Sequence, residues 1–299
     1  MVSTSAPTET RTGGAIRDYV TLTKPRIMSL LLLTTYGAMV LAYGGPPPAV
    51  LTVAAMVGGA LASGGASALN HWIERKSDPL MGRTRGRPVA SGRIAPASAF
   101  TFGLVLTVLA FATLVLWANL LAALLAMAGT LSYVLVYTLW LKRSTTHNIV
   151  IGGAAGAIPP LVGWAAVTGS LALPAWYLFA LVFFWTPPHF WALAIILKDQ
   201  YTAARIPMLP VVAGVSATRV QILLYTFTVV ALSVLLWIST PALGVLYLAG
   251  ALSTGSVFLA LAARMMIDSS RQAALDLYLY SLLYLALLFT FVAVDASSG

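Results

Sequence analysis

The chain has 299 residues, 60% of them hydrophobic and only 8% charged, with a mean hydropathy of +0.90. Soluble domains carry about 25% charged residues, so this composition excludes a soluble globular protein and defines an integral membrane protein. The net charge of +9 is read as membrane-edge loops against anionic lipid rather than nucleic-acid binding, and the absence of cysteine excludes disulfides and thiolate metal sites.

Residues 1–14 are polar and rich in Thr, Ser and Gly, with no apolar core for a signal peptide. They read as a disordered cytoplasmic tail ahead of a single transmembrane domain over 15–299. A spanning helix needs about 20 apolar residues. Nine such runs follow, near 27–43, 50–70, 99–117, 120–140, 148–167, 174–197, 217–238, 242–263 and 277–294. They are continuous rather than alternating, which argues helices. The expected fold is all-α, a polytopic bundle of nine transmembrane helices around a central cavity open near the cytoplasmic face.

All 17 Lys and Arg fall into five clusters, at 11–26, 75–93, 142–143, 198–219 and 264–271. The turns between them on the other side, such as 44–49 and 168–174, carry none. A cytoplasmic excess of Lys and Arg fixes orientation, so the chain is expected in the bacterial inner membrane. The N-terminus is then cytoplasmic, and the C-terminus, with Asp295, is extracytoplasmic.

The second span is rich in small residues from Gly58 to Ser67, which lets a neighbouring helix approach closely. Gly152 and Gly156 form a GxxxG pair in the fifth span, with the same expectation. Pro159-Pro160 and Pro187-Pro188 each remove backbone hydrogen bonds and are expected to kink or break their helices.

Segment 70–88 carries the chemistry. Asn70, Glu74 and Asp78 are spaced i, i+4, i+8, which stacks them on one face of a helix continuing through Ser77. Pro79 marks where it frays. Two carboxylates and an amide oxygen make a hard oxygen site suited to Mg²⁺. Arg83, Arg85, Arg87 and Arg93 follow, and arginine forks bind phosphate. Carboxylates followed by arginines describe a clamp for a metal and a diphosphate. Random pairing in a solvated loop is the plain alternative, but acids near membrane depth are expensive and mark function.

In the second charged loop, Lys198 and Arg205 are candidates for further phosphate oxygens. Asp199 is a candidate for a second metal, and Tyr201 for capping the site. Lys142 and Arg143 either anchor the interface or touch ligand. His189 follows Pro187-Pro188 and either bonds a freed carbonyl or contacts substrate. His71 and His147 read as interfacial.

These segments together resemble the protohaem IX farnesyltransferase (haem O synthase) family, in the UbiA superfamily of intramembrane prenyltransferases. The likeness runs through Asn70, Glu74, Asp78, Met81, Arg83-Thr84 and Arg87-Pro88. It continues in Thr23-Lys24-Pro25-Arg26, Lys142-Arg143 with Asn148 through Pro160, Trp185 through His189, and Lys198-Asp199 with Tyr201 and Ile206 through Pro210. It covers roughly residues 18–290.

The resemblance implies that farnesyl diphosphate and haem b give haem O and diphosphate with addition of water, on Mg²⁺. Asn70, Glu74, Asp78, Lys198 and Asp199 would be catalytic, the metal falling to Asn70, Glu74, Asp78 and Asp199. Arg83, Arg87, Lys142, Arg143, His189, Tyr201 and Arg205 would bind substrate. Tyr133, Tyr137, Trp164, Phe184 and Trp185 are candidates to stabilise an allylic cation. The partners implied are the lipid bilayer and a downstream haem-modifying membrane enzyme. Glu74 stands where Asp is common, and Gln200 where a second Asp often follows, which puts a second metal in doubt. Two other readings stay open: a prenyltransferase acting on an aromatic or quinone-precursor acceptor, and a small-molecule transporter.

Overall fold

The computed structural model describes residues 12–298, and among these it contains helices and turns but no β-strand. The polar segment 1–14 lies outside the described residues except for its last three, which open the first helix, α1 (Thr12–Thr23). That helix stops because Lys24 precedes Pro25, and the proline ring disfavours helical backbone in the residue before it. Lys24 adopts a left-handed conformation, φ 51°, and Pro25 starts α2 (Pro25–Tyr43).

Eight more long helices follow: α3 (Ala49–Glu74), α4 (Pro96–Trp117), α5 (Leu120–Ser144), α6 (Asn148–Thr168), α7 (Leu173–Ile196), and, after a short α8 (Lys198–Ala203), α9 (Gly214–Ser239), α10 (Val245–Ile267) and α11 (Arg271–Asp295). With α2 they make nine helices long and apolar enough to span a membrane among the described residues. Their bounds lie within a few residues of the predicted ones at most ends.

Helices adjacent in sequence pack side by side, and α11 returns to α2 to close the bundle. α6 and α7 are the most enclosed: α6 touches α2, α5 and α7, while α7 touches α9 and α11. The connections from α3 to α4, α5 to α6, α7 to α9 and α10 to α11 therefore gather at one end, where the Lys and Arg clusters lie. At the opposite end Asp295 accepts a hydrogen bond from the Gly244 backbone N–H, just ahead of α10.

The small residues of α3 let α4 approach as expected. A methyl group at Gly65 would stand 2.8 Å from the Gly103 carbonyl oxygen and 2.6 Å from Thr107 Oγ1. The GxxxG pair is only half a contact. Gly152 faces the Tyr137 ring, whereas nothing lies within 4 Å of the equivalent position at Gly156.

Neither double proline breaks its helix: α6 runs unbroken through Pro159-Pro160, and α7 through Pro187-Pro188. These are the two most enclosed helices, and packing on both sides keeps their backbone helical across the prolines. The irregular helix is α5 instead. Over Ser132–Leu141 it widens into a π-helix, and Thr138 Oγ1 donates to the Tyr133 carbonyl five residues back at 2.8 Å. Such segments are rare and recur at functional sites.

Candidate active site

α3 ends at Glu74, three residues short of the predicted Ser77. A turn closes it, with the Ser77 N–H and hydroxyl donating to the Glu74 carbonyl at 2.8 and 3.1 Å. Asp78 therefore leaves the helix and opens a 3-10 turn with Pro79. Thr84 fixes that turn by donating its hydroxyl to the Asp78 carbonyl at 2.8 Å. Despite the break, Asn70, Glu74 and Asp78 are all buried, at 2, 3 and 4% exposure.

The two carboxylates converge on one atom. Arg87 Nη1 donates to Glu74 Oε2 at 3.1 Å and to Asp78 Oδ1 and Oδ2 at 2.8 and 3.0 Å. Lys142, at the end of the π-helical stretch, pairs with Glu74 Oε1. Arg143 donates to Ser77 Oγ at 3.1 Å. One turn deeper, Asn70 Oδ1 accepts from Lys24 Nζ at 3.1 Å, and its amide donates to Thr138 Oγ1 at 3.3 Å. Buried ions are stable only when paired and hydrogen-bonded, and these pairings meet that requirement. Arg93 does not belong here: it binds Asp18 of α1 at 3.0 and 3.1 Å and ties the loop to α1.

The second charged loop meets the first through Tyr201, as expected, and through Gln200 rather than Asp199. Asp199 is exposed and makes no ion pair among the described residues. No cluster of three or more His, Asp or Glu suited to a metal forms among them. Gln200 turns inward instead. Its amide oxygen is buried without a partner among the described residues and lies 3.9 Å from where a Gly82 side chain would begin. Tyr201 is buried within reach of the charges of Arg83, Glu74 and Arg87. Lys198 is half-buried. Arg205 is exposed, in a left-handed conformation of φ 54°.

Among the aromatic candidates, Tyr133 and Tyr137 stack at 5.7 Å and sit within range of Glu74 and Arg83. Phe184 turns away, packing on Phe183 and on Tyr225 of α9. His189 lies between the rings of Trp185 and Tyr278, at 4.5 and 4.8 Å. His71, predicted interfacial, is buried at 2% exposure beside the charge cluster.

Two residues of this constellation, Thr138 and Tyr278, escape the motif reading, and a third, Lys24, falls within a quoted motif without being given a site role. Lys24 carried a usable signal, because a lysine directly before Pro25 marks both a chain break and a cation at the membrane edge.

Burial shapes the electrostatics. It pushes the Lys24 ammonium down to about 7, and the neighbouring Arg87 guanidinium adds to the effect. Burial raises the Asp78 carboxyl more than Arg87 lowers it. For Arg87, burial pulls downward but Asp78 and Glu74 outweigh it and raise the group, so it stays charged. Burial raises the Tyr201 phenol, with Arg83 opposing.

Among the described residues, nine membrane-length helices form a bundle with paired carboxylates and a surplus of cations at one end, the architecture of a multi-pass membrane protein. The chain belongs to the UbiA prenyltransferase family, whose model matches residues 31–291. It is 53% identical over 285 residues to a protoheme IX farnesyltransferase of Thermus thermophilus, a match covering 95% of this chain and 47% of that protein. It thus spans about half the length of that relative. It is 50% identical to the protein of that name from Nostoc sp. (strain PCC 7120), covering 94% of this chain and 89% of the relative. Among solved structures, that of a digeranylgeranylglyceryl phosphate synthase has a TM-score of 0.79 at 16% identity, covering 96% of this chain and 100% of the other. A UbiA homolog from Archaeoglobus fulgidus, bound to GPP and Mg2+, has a TM-score of 0.62 at 15% identity, covering 92% and 99%.

Proposed function

We propose that this chain transfers the farnesyl group of farnesyl diphosphate to a vinyl group of haem b, with addition of water, to give haem O and diphosphate. The observation that carries this reading is the convergence of Glu74 and Asp78 on a single nitrogen of Arg87, ringed by Lys142 and Lys24. Relatives about 50% identical over nearly the whole chain that are named for protoheme IX support haem b as the acceptor.

A divalent cation fits the donor set. Arg87 Nη1 has three carboxylate oxygens at 2.8–3.1 Å, so Glu74 and Asp78 already face one cationic position. Mg²⁺ takes one or two carboxylates and completes its shell with water and substrate phosphate, which matches a pair of acids with no third. Glu74 and Asp78 would hold it, with the Asn70 oxygen one turn away. When bound, Mg²⁺ neutralises charge building on the diphosphate. The Archaeoglobus homolog bound to GPP and Mg2+ supports the assignment.

The chain's own groups supply the rest. Arg83, Arg87, Lys142 and Lys24 face the diphosphate and stabilise the negative charge it gains as the allylic C–O bond breaks and the electron pair leaves with oxygen. Tyr133 and Tyr137 present ring faces to the allylic cation, each worth about 0.5–2 kcal/mol. The vinyl carbon of haem b forms the new bond. Water captures the resulting porphyrin-side cation and loses a proton. The apolar surround keeps water from the allylic cation until then.

The Lys and Arg clusters support an orientation with the charged end, and the N-terminus, on the cytoplasmic side of a bacterial inner membrane. A further haem-modifying membrane enzyme would consume the product. Mass spectrometry of haem from cells expressing the chain tests the reading. A haem carrying a hydroxyethylfarnesyl group is expected, and unchanged haem b alongside a prenylated aromatic acid or quinone precursor would overturn the acceptor.

A further inference from the structure

Ser281, in the middle of α11 and fully buried, holds two aromatic residues of α7 at once. Its carbonyl oxygen accepts from the Trp185 indole N–H at 2.7 Å. Its hydroxyl lies 2.7 Å from His189 Nδ1 and donates to the Tyr278 carbonyl at 2.6 Å. A hydroxyl has one proton. Since Tyr278 receives that proton, Ser281 Oγ accepts at the other contact, and His189 Nδ1 is the donor. The imidazole is thereby fixed as the Nδ1–H tautomer, with its lone pair on Nε2. The one side-chain hydrogen bond of the ring among the described residues is at Nδ1, and the Tyr278 backbone carbonyl lies beside the same ring.

The ring plane is fixed too. Trp185 and Tyr278 stack on its two faces with interplanar angles of 16° and 24°, and Phe190 meets it edge-on at 5.1 Å. His189 thus has one acceptor atom, in one direction, on an immobilised ring. It stands seven residues before the end of α7, about 10 Å from the charged end along the helix. Tyr278 connects it to that end, because the Tyr201 phenol lies within electrostatic range of Tyr278, Arg83 and Glu74.

Most buried polar side-chain atoms have a hydrogen-bond partner. A histidine whose Nδ1–H is bonded to a second group and whose Nε2 is free has the arrangement of metal-ligating imidazoles, where the outer bond sets the tautomer and raises ligand basicity. We infer that His189 Nε2 ligates the haem iron of the acceptor, and that Ser281 is the positioning residue that sets the tautomer and orientation of His189. This rests on haem b being the acceptor. Ligation at this depth would hold the porphyrin by its centre, with a vinyl edge toward Glu74 and Asp78 and its carboxylates on the opposite edge.

The full chain, purified in detergent and titrated with haem b, tests this by resonance Raman of the ferrous form, with farnesyl transfer measured on the same samples. Wild type is expected to show an iron–histidine band. His189→Ala should lose it and regain it with added imidazole. Ser281→Ala should keep the band at a shifted position and lose activity about 10- to 100-fold, and Ser281→Thr should restore both. Ser281→Ala removes one oxygen and decides the matter even if His189→Ala fails to fold. A band that persists in His189→Ala, or an unshifted band in Ser281→Ala, overturns the inference. Wild type that farnesylates haem with no iron–histidine band overturns it while leaving the transfer reading intact. A His189-dependent band without transfer supports ligation and sinks the transfer reading.

Discussion

Glu74 and Asp78 sit on different elements, one at the last turn of α3 and the other in the turn beyond it, yet both carboxylates meet the same nitrogen of Arg87. Removing that nitrogen leaves two buried acids facing each other. Arg87→Ala is expected to cost about 3–5 kcal/mol of stability, the range for breaking a buried pair by deleting one partner. Arg87→Lys keeps the charge but lacks the planar fork, so its loss should be smaller. Thermal unfolding in detergent reads both, and equal melting temperatures for wild type and Arg87→Ala would refute the pairing.

The acids themselves should matter more for rate than for folding. Glu74→Gln and Asp78→Asn keep shape and hydrogen-bonding capacity while removing charge. Each is expected to lower transfer by about 10²- to 10³-fold, the range for deleting one preorganised electrostatic contact. Asp199→Asn should do much less, because that side chain faces outward. Product formation from farnesyl diphosphate and haem b measures all three. A larger loss in Asp199→Asn than in Glu74→Gln would mean that the second loop closes over the site in a different arrangement.

The charge pattern made the nine spans and the acidic turn readable, because both depend on neighbours within a few residues. Asn70, Glu74 and Asp78 are linked by helical spacing, and the arginines follow at once. The rest depends on long-range contacts. Lys24 reaches Asn70 across 46 residues, Lys142 reaches Glu74 across 68, and Ser281 reaches His189 across 92. No local period encodes such pairs. The proline pairs show the same limit: the helices packed around α6 and α7, and not the prolines alone, decide that neither helix breaks. The π-helical stretch of α5 has no proline or glycine of its own to announce it.

Lys24 gives the site a pH signature. Its pKa falls from 10.5 in the unfolded chain to about 7 in the fold, chiefly through burial. Between those values the unfolded chain binds more protons than the folded one, so stability rises with pH across that window. Below about 7 both states are protonated and the dependence from this group ends. Melting temperature measured from pH 7 to 9 should climb in wild type and flatten in Lys24→Met. An identical slope in the variant would show that Lys24 keeps its ordinary pKa.

Asp295 separates stability from chemistry, because it lies at the end of the bundle away from Glu74. Its buried carboxylate accepts the Gly244 N–H at the start of α10. A carboxylate at a helix N-terminus satisfies an orphan donor and meets the positive end of the helix dipole. Asp295→Ala should therefore cost about 0.5–2 kcal/mol. Farnesyl transfer per folded molecule should be unchanged, since no contact links Asp295 to the charged end. A melting curve and a rate assay on the same preparation check both halves. A variant as stable as wild type but slower would place a functional group at the face the charge pattern left empty.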